Sequence, residues 1–434
     1  MYQNIAIIGA GPMGLSLAYE LLKKGNRVTI YEADSVIGGM SASFDFSGTR
    51  IERYYHFICA GDYPLFEILD ELGIKDKLKW QKTKMGFYYN GKLNDWGNPI
   101  ALLKFPGVGL VSKFRYGMHA FFSVKRKDWK SLDQKEATDW IKKWIGEPAY
   151  NIWWKNLFDL KFYDYAKSLS AAWIWTRIKR IGSSRYDLFN EKLGYLDGGS
   201  EILLEALRTR IDKMGGKICL NSRVRKIHIE NNAVSGIEIG GEFFSHDAVA
   251  CTVPVPYIHS MVPDLPKEIA LKFEKLQNIA VVCIIVKLKK PVTENFWVNI
   301  NDPRMDIPGI VEYTNLLPLK HHIVYVPFYL PGEHPKYQDP DEVFFGKVKK
   351  YLMTINSKIA EDDFLDIRAS RYRYAQPICG PGYLNSLPPV SLPLRGLFAA
   401  DTSYYYPEDR GISESLRFSK EMAKTILKDG PNVF

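Results

Sequence analysis

The sequence predicts an α/β protein in which a domain with a parallel sheet is interleaved with an α+β domain that carries a mixed sheet and a helical cap. Two observations support this prediction. Residues 1–32 read as a strand, a glycine-rich turn, a helix and a second strand, which is the unit of doubly wound sheets. Strand-like segments with neighbouring helices return in the middle and at the end of the chain. The first domain is assigned to residues 1–45, 195–255 and 395–434, and the second to residues 46–194 and 256–394.

The N-terminal glycine turn has the pattern of a dinucleotide-binding loop. Gly9 permits a tight bend, Gly11 lets the backbone approach a pyrophosphate, and Gly14 lets the helix pack on the strand. Glu32 ends the second strand and can accept hydrogen bonds from a ribose diol. A glycine turn of this kind can also be purely structural, but the flanking strand, helix and acid favour dinucleotide binding.

A second glycine pair, Gly38–Gly39, follows Glu32 after a few residues. NAD enzymes do not usually need such a pair. In flavoproteins of the glutathione reductase type, it lets the backbone pass close to the pyrophosphate and ribityl chain. The pair therefore favours FAD, and an ordinary surface turn is the alternative interpretation.

Two later segments strengthen the FAD prediction. Residues 196–254 read as a helix, a strand, a strand pair and a last strand that ends in Thr252-Val253-Pro254. Residues 396–401 read as a buried strand that ends in Asp401, and a helix opens after it at Gly411–Ile412.

This order of elements resembles the FAD-dependent amine oxidase and protoporphyrinogen oxidase superfamily over nearly the whole chain. Shorter segments resemble a branch of NAD(P)/FAD-dependent microbial oxidoreductases that is often associated with surface-glycan pathways, and there is a distant similarity to UDP-galactopyranose mutase. The branch-like segments are residues 51–57, 171–178, 309–315, 375–378 and 406–411. The resemblance implies a glutathione reductase-type, FAD-binding Rossmann domain interleaved with a substrate domain.

The resemblance also implies how FAD is held. Val224 would contact the adenine side through its backbone, Asp401 would bind the ribityl and phosphate region, and the helix start at Gly411 would direct its dipole at the flavin. Relatives with covalent FAD use a cysteine near the C-terminal flavin segment, whereas the last cysteine here, Cys379, lies well before it, so non-covalent FAD is expected. The predicted cofactor-binding residues are Gly9, Gly11, Pro12, Met13, Gly14, Glu32, Ala33, Gly39, Met40, Tyr55, Val224, Asp401, Gly411 and Ile412.

Composition indicates one enzyme with a large core, since 46% of the 434 residues are hydrophobic and 25% are charged. The five cysteines are scattered and lack CxxC spacing, so neither a disulfide framework nor a metal site is expected. The chain starts directly with the cofactor strand and has no apolar run near the roughly 20 residues of a spanning helix. A cytoplasmic location is therefore expected.

The net charge of +9 favours an anionic partner. Basic and aromatic residues are dense in residues 104–185, including Lys125-Arg126-Lys127, and this region is predicted to be a helical subdomain. Such a surface suits a phosphorylated lipid or the inner face of a membrane. The alternative is an aromatic core with a solvated basic face.

No nucleic-acid motif accompanies the charge, so nucleic acid is not an expected partner. A homodimer is left open.

Four residues are candidates for the chemistry. His56 could shuttle a proton near neutral pH, or it could be a core histidine. Glu312 and Asn315, on a predicted strand above the flavin, could act as base and anchor, although a charged residue in a strand often faces solvent. Arg410 could bind an anionic substrate group, or it could form a structural ion pair with Asp409.

These features lead to three functional hypotheses. The first is an FAD-dependent oxidoreductase that transfers a hydride between flavin N5 and a small or lipid-linked anionic substrate. The second is a non-redox flavoenzyme similar to UDP-galactopyranose mutase that acts on a nucleotide sugar. The third is a membrane-associated flavin-binding protein without turnover.

Overall fold

The computed structural model of the chain describes residues 2–185, 187 and 190–429. Residues 1, 186, 188, 189 and 430–434, which belong to the segments assigned to the two domains, lie outside the described residues. The strands are β1 (Asn4–Ile8), β2 (Arg27–Tyr31), β3 (Ser43–Asp45), β4 (Arg50–Glu52), β5 (Leu78–Thr83), β6 (Met85–Tyr89), β7 (Lys92–Trp96), β8 (Glu191–Leu196), β9 (Lys217–Cys219), β10 (Val224–Glu230), β11 (Ala233–Ile239), β12 (Glu242–Ser245), β13 (Ala248–Cys251), β14 (Asn278–Leu288), β15 (Trp297–Asn301), β16 (Gly309–Glu312), β17 (His322–Pro331), β18 (Phe364–Pro377) and β19 (Leu397–Ala399). The helices are α1 (Pro12–Leu22), α2 (Tyr63–Leu72), α3 (Pro99–Lys104), α4 (Leu110–Lys125), α5 (Lys130–Asp133), α6 (Ala137–Ile145), α7 (Glu147–Trp153), α8 (Lys155–Phe162), α9 (Ala171–Ser183), α10 (Glu201–Lys213), α11 (Pro256–Met261), α12 (Lys267–Lys275), α13 (Asp341–Ile355) and α14 (Ile412–Lys428).

Five strands form a parallel sheet in the order β19-β13-β1-β2-β9. In the central strand β1, Ile5, Ala6 and Ile7 are fully buried, as expected for a parallel sheet that is covered on both faces. Helix α1 packs against α10 and α14, and the antiparallel sheet β10-β11-β12 contacts β13 through β11. One sheet therefore combines strands from the beginning, middle and end of the chain, and the predicted α/β fold class is confirmed.

The carboxyl ends of four of these strands meet at one edge of the sheet. The glycine turn follows β1, Glu32 follows β2, Thr252 follows β13 and Asp401 lies shortly after β19. Ligands of open parallel sheets bind at this edge. The topology therefore gathers residues that are far apart in sequence into one site.

The second domain contains a seven-stranded sheet in the order β18-β14-β17-β16-β15-β6-β7, in which only β15 and β6 run parallel. Strand β14 is buried along nearly its whole length, so it does not alternate apolar and polar residues as a strand with one solvated face would. Val281 and Cys283 belong to the main core, whereas Val282 and Ile284 pack with a second cluster that includes residues of α13. Both faces of this strand are therefore covered, so both faces are apolar.

Helices α3 to α9 form a cap between β7 and β8. The helices of this cap begin at Pro99, slightly before the predicted helical subdomain of residues 104–185. Asn98 starts α3 by accepting a hydrogen bond from Ala101 N (2.9 Å), and Pro99 occupies the first turn, where its missing N–H is not needed. Ser170 caps α9 in the same way. Among the residues that the structure describes, no helix combines the length and apolar character needed to span a membrane.

Candidate active site

A cavity of about 630 Å³ lies where the carboxyl edge of the parallel sheet faces the seven-stranded sheet and the helical cap. Its wall includes the glycine turn after β1, Thr252 after β13, Tyr329 of β17, and Lys161 and Arg180 from helices α8 and α9. A volume of this size is typical of small-molecule and cofactor sites. The cavity therefore joins both domains in one candidate site.

Two glycines, Gly11 and Gly39, form a cradle on the wall of this cavity. Gly11 precedes α1, and no side chain caps that helix, so the free N–H groups of its first turn are available to a ligand. A Cβ atom on Gly11 would meet no protein atom within 4 Å, and a Cβ atom on Gly39 would lie 3.6 Å from the Gly11 Cα. Since both residues line the cavity, side chains here would fill the space needed by a diphosphate.

Gly14 has a different function from Gly11. A Cβ atom at Gly14 would lie only 2.0 Å from the carbonyl oxygen of Gly9 and 2.8 Å from Thr252 Oγ1. The residue is not part of the cavity wall. Gly14 therefore permits close packing of α1 on the end of β1, as its position in the motif predicts.

Glu32 lies on the cavity wall beside the cradle. Its Oε2 accepts a hydrogen bond from Ala10 N (2.7 Å) and its Oε1 accepts one from Asp34 N (2.9 Å). Asp34 in turn pairs with Arg53, whose Nη1 lies 2.5 Å from the carboxylate. The carboxylate of Glu32 is thus held at the cavity surface, where a ribose diol could donate to it.

Asp401, which also lines the cavity, connects the chain segments after β13 and β19. Its carboxylate accepts hydrogen bonds from Val255 N (2.9 Å) and Ser403 N (2.8 Å), and burial raises its pKa although these bonds oppose the rise. Gly411 precedes α14 without a side-chain cap, and both Gly411 and Ile412 line the cavity. A second helix N-terminus therefore faces the site, which fits an electron-rich part of a cofactor.

The structure brings most of the predicted cofactor-binding residues together and leaves three outside the wall. The predicted residues that line the cavity are Gly9, Gly11, Pro12, Met13, Glu32, Gly39, Met40, Tyr55, Asp401, Gly411 and Ile412. Ala33 and Val224 do not line it, and neither does Gly14. The wall, with two glycines facing each other and two free helix N-termini, fits FAD.

His56 lies on the cavity wall and is held from both sides of its ring. Its Nδ1 is 3.3 Å from Oε2 of Glu52, and its Nε2 is 3.3 Å from Ser41 Oγ. The Glu52 carboxylate also accepts hydrogen bonds from Ser200 N (2.6 Å) and Tyr313 Oη (3.2 Å). Burial raises the pKa of Glu52, but the hydrogen bond and charge of His56 and the bond from Ser200 outweigh burial and leave that pKa below its ordinary value. A buried carboxylate therefore orients the His56 ring, a partnership that sequence spacing did not indicate.

Glu312 and Asn315 are not brought to the cavity. Glu312 ends β16 on the same face as Ile310, which belongs to the second cluster beneath α13, so its side chain lies on the far side of the sheet. There its carboxylate accepts hydrogen bonds from Val292 N and Thr293 N, and burial raises its pKa to about 7.

Asn315 lies in a 3-10 turn rather than on a strand, and it donates to the carbonyl oxygens of Thr293 and Asn295. Both residues therefore hold the loop before β15, and their predicted location above the flavin is wrong. His, Cys, Asp and Glu side chains of the described residues form no group of three or more that could hold a metal ion.

A cationic cluster forms the wall near Arg410. Asp409 pairs with Arg177 through two hydrogen bonds, of 3.0 and 2.6 Å, so the proposed Asp409–Arg410 pair is not the pairing in the structure. Burial raises the pKa of Asp409, but Arg177, Arg410 and Lys161 together hold it well below its usual range. Arg410 itself donates to Gln376 Oε1.

Lys161, from α8, is a cavity residue that the sequence did not reveal. Its Nζ lies 5.0 Å from the centroid of the Tyr329 ring. Burial, together with the positive charges of Arg177 and Arg410, lowers its pKa to about 7. The wall therefore carries an amine that changes charge near neutral pH.

Comparison with known proteins agrees with this geometry. The sequence profile of the family described as "Flavin containing amine oxidoreductase" matches residues 14–403. Among curated proteins, a 15-cis-phytoene desaturase from Glycine max is 27% identical over 311 residues, which are 65% of this chain and 52% of that protein. The chain thus spans about half the length of the curated relatives it matches.

Solved structures share the whole fold at low sequence identity. A putative protoporphyrinogen oxidase from Exiguobacterium sp. 255-15 has a TM-score of 0.75 at 16% identity, over 98% of both chains. Reduced UDP-galactopyranose mutase has a TM-score of 0.75 at 17% identity, over 100% of this chain and 97% of that one. Since the family profile covers most of the residues, the chain belongs to the flavin containing amine oxidoreductase family.

Proposed function

We propose that the protein transfers a hydride between a carbon atom of a small or lipid-linked anionic substrate and N5 of non-covalently bound FAD. When bound, FAD supplies the hydride acceptor or donor. The observation that carries this proposal is that one cavity is lined by the Gly11–Gly39 cradle, by His56 and by Arg410, whose guanidinium forms no ion pair with a described residue. Cofactor, proton carrier and anion-binding group therefore share one space.

His56 handles the proton that accompanies hydride transfer. Loss of a hydride from carbon is balanced by loss of a proton from the same substrate, and an imidazole can accept it near neutral pH. The Glu52 carboxylate accepts a hydrogen bond from Nδ1 and stabilises the imidazolium that forms. Nε2, which lies 3.3 Å from Oγ of the cavity residue Ser41, therefore exchanges protons with the cavity directly or through that hydroxyl. Arg410 binds the anionic group of the substrate.

Anaerobic mixing of the FAD-loaded protein with candidate substrates tests this function. Amines, alcohols and unsaturated chains that carry a carboxylate or phosphate should bleach the flavin absorbance, and uncharged analogues of the same compounds should do so much more slowly. Failure of all three classes to reduce the flavin, under conditions where dithionite does, would contradict the proposal.

A second candidate is a non-redox flavoenzyme that acts on a nucleotide sugar. The full-length similarity in fold to reduced UDP-galactopyranose mutase and the cations at the cavity wall favour it. Under this hypothesis, chemically reduced protein would isomerise a sugar nucleotide without consuming reductant. Product analysis under oxidising and reducing conditions separates the two, and the absence of turnover under both conditions would leave only flavin binding.

The lipid-linked class of substrate gains support from an exposed surface, which we name the α3–α4 face. Its apolar side chains are between 46% and 73% exposed; they are Ile100, Leu103, Leu110, Val111, Phe114, Phe121 and Phe122. Lys113 Nζ donates to the carbonyl oxygen of Leu103 (2.7 Å) and ties the two helices together. Seven large apolar side chains exposed on two neighbouring helices exceed the singly scattered ones that are normal on a protein surface.

The charge around the α3–α4 face suits anionic lipid. Lys104 ends α3, and Lys125, Arg126 and Lys127 stand at the end of α4. Interfacial helices combine an apolar face with such basic residues, which attract acidic headgroups. Because α4 also packs on α9, whose Arg180 lines the cavity, peripheral contact with a membrane would hold the site close to a lipid-borne substrate.

A further inference from the structure

We propose that Lys161 and Arg410 form a subsite for the carboxylate or phosphodiester head of the substrate, and that Lys161 takes up a proton when this anion binds. The inference rests on the proposed function, because it identifies the head group of that substrate. Its basis is the arrangement of both cations around Tyr329. Lys161 Nζ lies 5.0 Å from the Tyr329 ring centroid, and Arg410 interacts with the Tyr329 hydroxyl, where its charge and hydrogen bond oppose the burial that raises the pKa of Tyr329.

The charges around this subsite do not balance. Four cations and two carboxylates make up the cluster: Lys161, Arg177, Arg180, Arg410, Asp62 and Asp409. Arg180 pairs with Asp62 (2.9 Å), and Arg177 pairs with Asp409 (2.6 Å).

Lys161 and Arg410 are left without an ion pair to any described residue. Both line the cavity, where each is at most partly exposed. A partly buried cation without a counter-charge is unfavourable. An anionic head group between these two side chains would offset that cost.

The pKa of Lys161 is lowered in this environment, so its amine loses a proton near neutral pH. Burial is the main cause that lowers its pKa to about 7, the repulsion of Arg177 and Arg410 adds to it, and the attraction of Asp409 opposes it. Tyr329 of β17 is the titratable side chain that lies beside it from the sheet. An anion bound next to Lys161 would raise that pKa again.

The affinity for an anion should depend on pH through the charge of Lys161. Below about pH 7 Lys161 is already charged, and an anion binds without proton uptake. Above about pH 7 binding must draw a proton from solution, so affinity should fall by up to about tenfold per pH unit until the pKa of the bound state is reached. A preformed pair of permanent cations would show no such fall.

Calorimetry on the FAD-loaded protein tests the proposal. The probes are decanoate and decyl methyl phosphate, neither of which titrates between about pH 6 and about pH 9, with decanol as the uncharged control. Titrations in two buffers of different ionisation enthalpy count the protons exchanged. We expect the Kd of at least one anion to rise about tenfold or more from about pH 6 to about pH 9, with uptake approaching one proton at about pH 8.

Variants at position 161 test whether Lys161 is the group that takes up the proton. Lys161→Met should abolish the uptake and weaken anion binding, whereas Lys161→Arg should keep the binding and lose its pH dependence, because arginine stays charged. Lys155→Met, on the exposed part of the same helix, is the matched control and should behave as wild type. The flavin spectrum of each variant reports whether its cofactor site is intact.

The outcomes distinguish this inference from the proposed function. Proton-linked anion binding without flavin reduction by any substrate would support the subsite and contradict the redox proposal. Flavin reduction by substrates whose binding takes up no proton, or uptake that persists in Lys161→Met, would overturn the subsite alone. Decanol that binds as tightly as both anions would also overturn it. If proton-linked binding is seen with decanoate only, the head group is a carboxylate; if it is seen with decyl methyl phosphate only, the head group is a phosphodiester.

Discussion

The Nδ1 atom of His56 lies 3.3 Å from Oε2 of Glu52, and this carboxylate is only 2% exposed. Buried carboxylates are costly unless they are paired and hydrogen-bonded. Glu52 meets that condition through His56, Ser200 N and Tyr313, so the pair is a fixed unit in which one member faces the cavity. Two experiments on this pair test the proton-handling role of His56.

His56→Ala should slow flavin reduction by a turned-over substrate about 10² to 10⁴-fold, the usual contribution of a general acid or base, while FAD stays bound. Glu52→Gln should slow it less and should also displace the pH profile, because the ring loses the carboxylate that stabilises its charged form. Stopped-flow absorbance at several pH values measures both effects. If Glu52→Gln lowered the rate equally at every pH, the residue would have only a structural role.

The binding mode of FAD is the second prediction. Cys283 lines the cavity, but burial raises the pKa of its thiol far above the usual range, so it is a poor nucleophile. Cys379, the last cysteine, does not line the cavity. Acid precipitation should therefore leave all FAD in the supernatant, as absorbance will show. Flavin that stays in the washed pellet would refute non-covalent binding.

A third prediction concerns the cradle. Gly11→Val should abolish FAD binding, because its side chain would occupy the open space between Gly11 and Gly39. Gly346→Val is the control, since a Cβ atom there also meets nothing within 4 Å but the residue lies in α13, away from the cavity. FAD content per protein is the measurement. Stoichiometric FAD in Gly11→Val would remove the phosphate-binding assignment.

Local patterns explain why this part of the site could be predicted from the sequence. The glycine turn, Glu32 and Asp401 follow strands whose carboxyl ends must meet at one edge of a parallel sheet, so residue type and order are sufficient. Glu312 could not be located in the same way. Which face of β16 meets the cavity depends on α13, which comes later in the chain and covers the opposite face.

Lys161 illustrates the other limit of sequence reasoning. It lies on a cap helix about 250 residues before Arg410 in the chain, and the packing of α8 against β17 brings it beside Tyr329, with which Arg410 also interacts. Nothing in its local sequence separates it from the other lysines of the basic region. The buried environment of Lys161, rather than its position in a sequence motif, lowers the pKa of its amine.

The fourth prediction tests the α3–α4 face against lipid. Combined Leu110→Ser, Val111→Ser and Phe114→Ser should weaken binding to anionic liposomes by about 3 kcal/mol, roughly a hundredfold, if each side chain is half-inserted. Co-sedimentation at low salt measures the partitioning. Charge reversal of residues 125–127 should weaken it too, and this effect should fade at high salt.

Val343→Ser with Leu365→Ser provides the control, because these residues are 44% and 41% exposed but lie outside the α3–α4 face. Their liposome binding should match wild type. If the wild-type protein does not bind anionic liposomes at low salt, the proposed membrane contact is wrong and a water-soluble anionic substrate is favoured.

The last prediction concerns stability and arises from His119 in the cap. Its ring lies against Trp140 and Trp144, with centroids 4.5 and 5.5 Å away, and is 2% exposed. Burial lowers its pKa to about 4, whereas the unfolded chain binds a proton near pH 6.5. The stability that neutral His119 contributes is therefore complete above about pH 6.5 and is lost as the pH falls to about 4, by about 3 kcal/mol in total.

His119→Phe keeps an aromatic ring between the two tryptophans and cannot be protonated, so the variant should lose less stability than wild type between about pH 6.5 and about pH 4. Urea unfolding followed by tryptophan fluorescence at each pH measures the difference in the free energy of unfolding between the two proteins. Trp140 and Trp144, which contact the ring, contribute to this fluorescence. His259→Phe serves as the control because its side chain is 50% exposed, and it should follow wild type throughout. Parallel curves for wild type and His119→Phe would mean that water reaches the ring in the folded protein and that His119 is protonated there at its ordinary pKa.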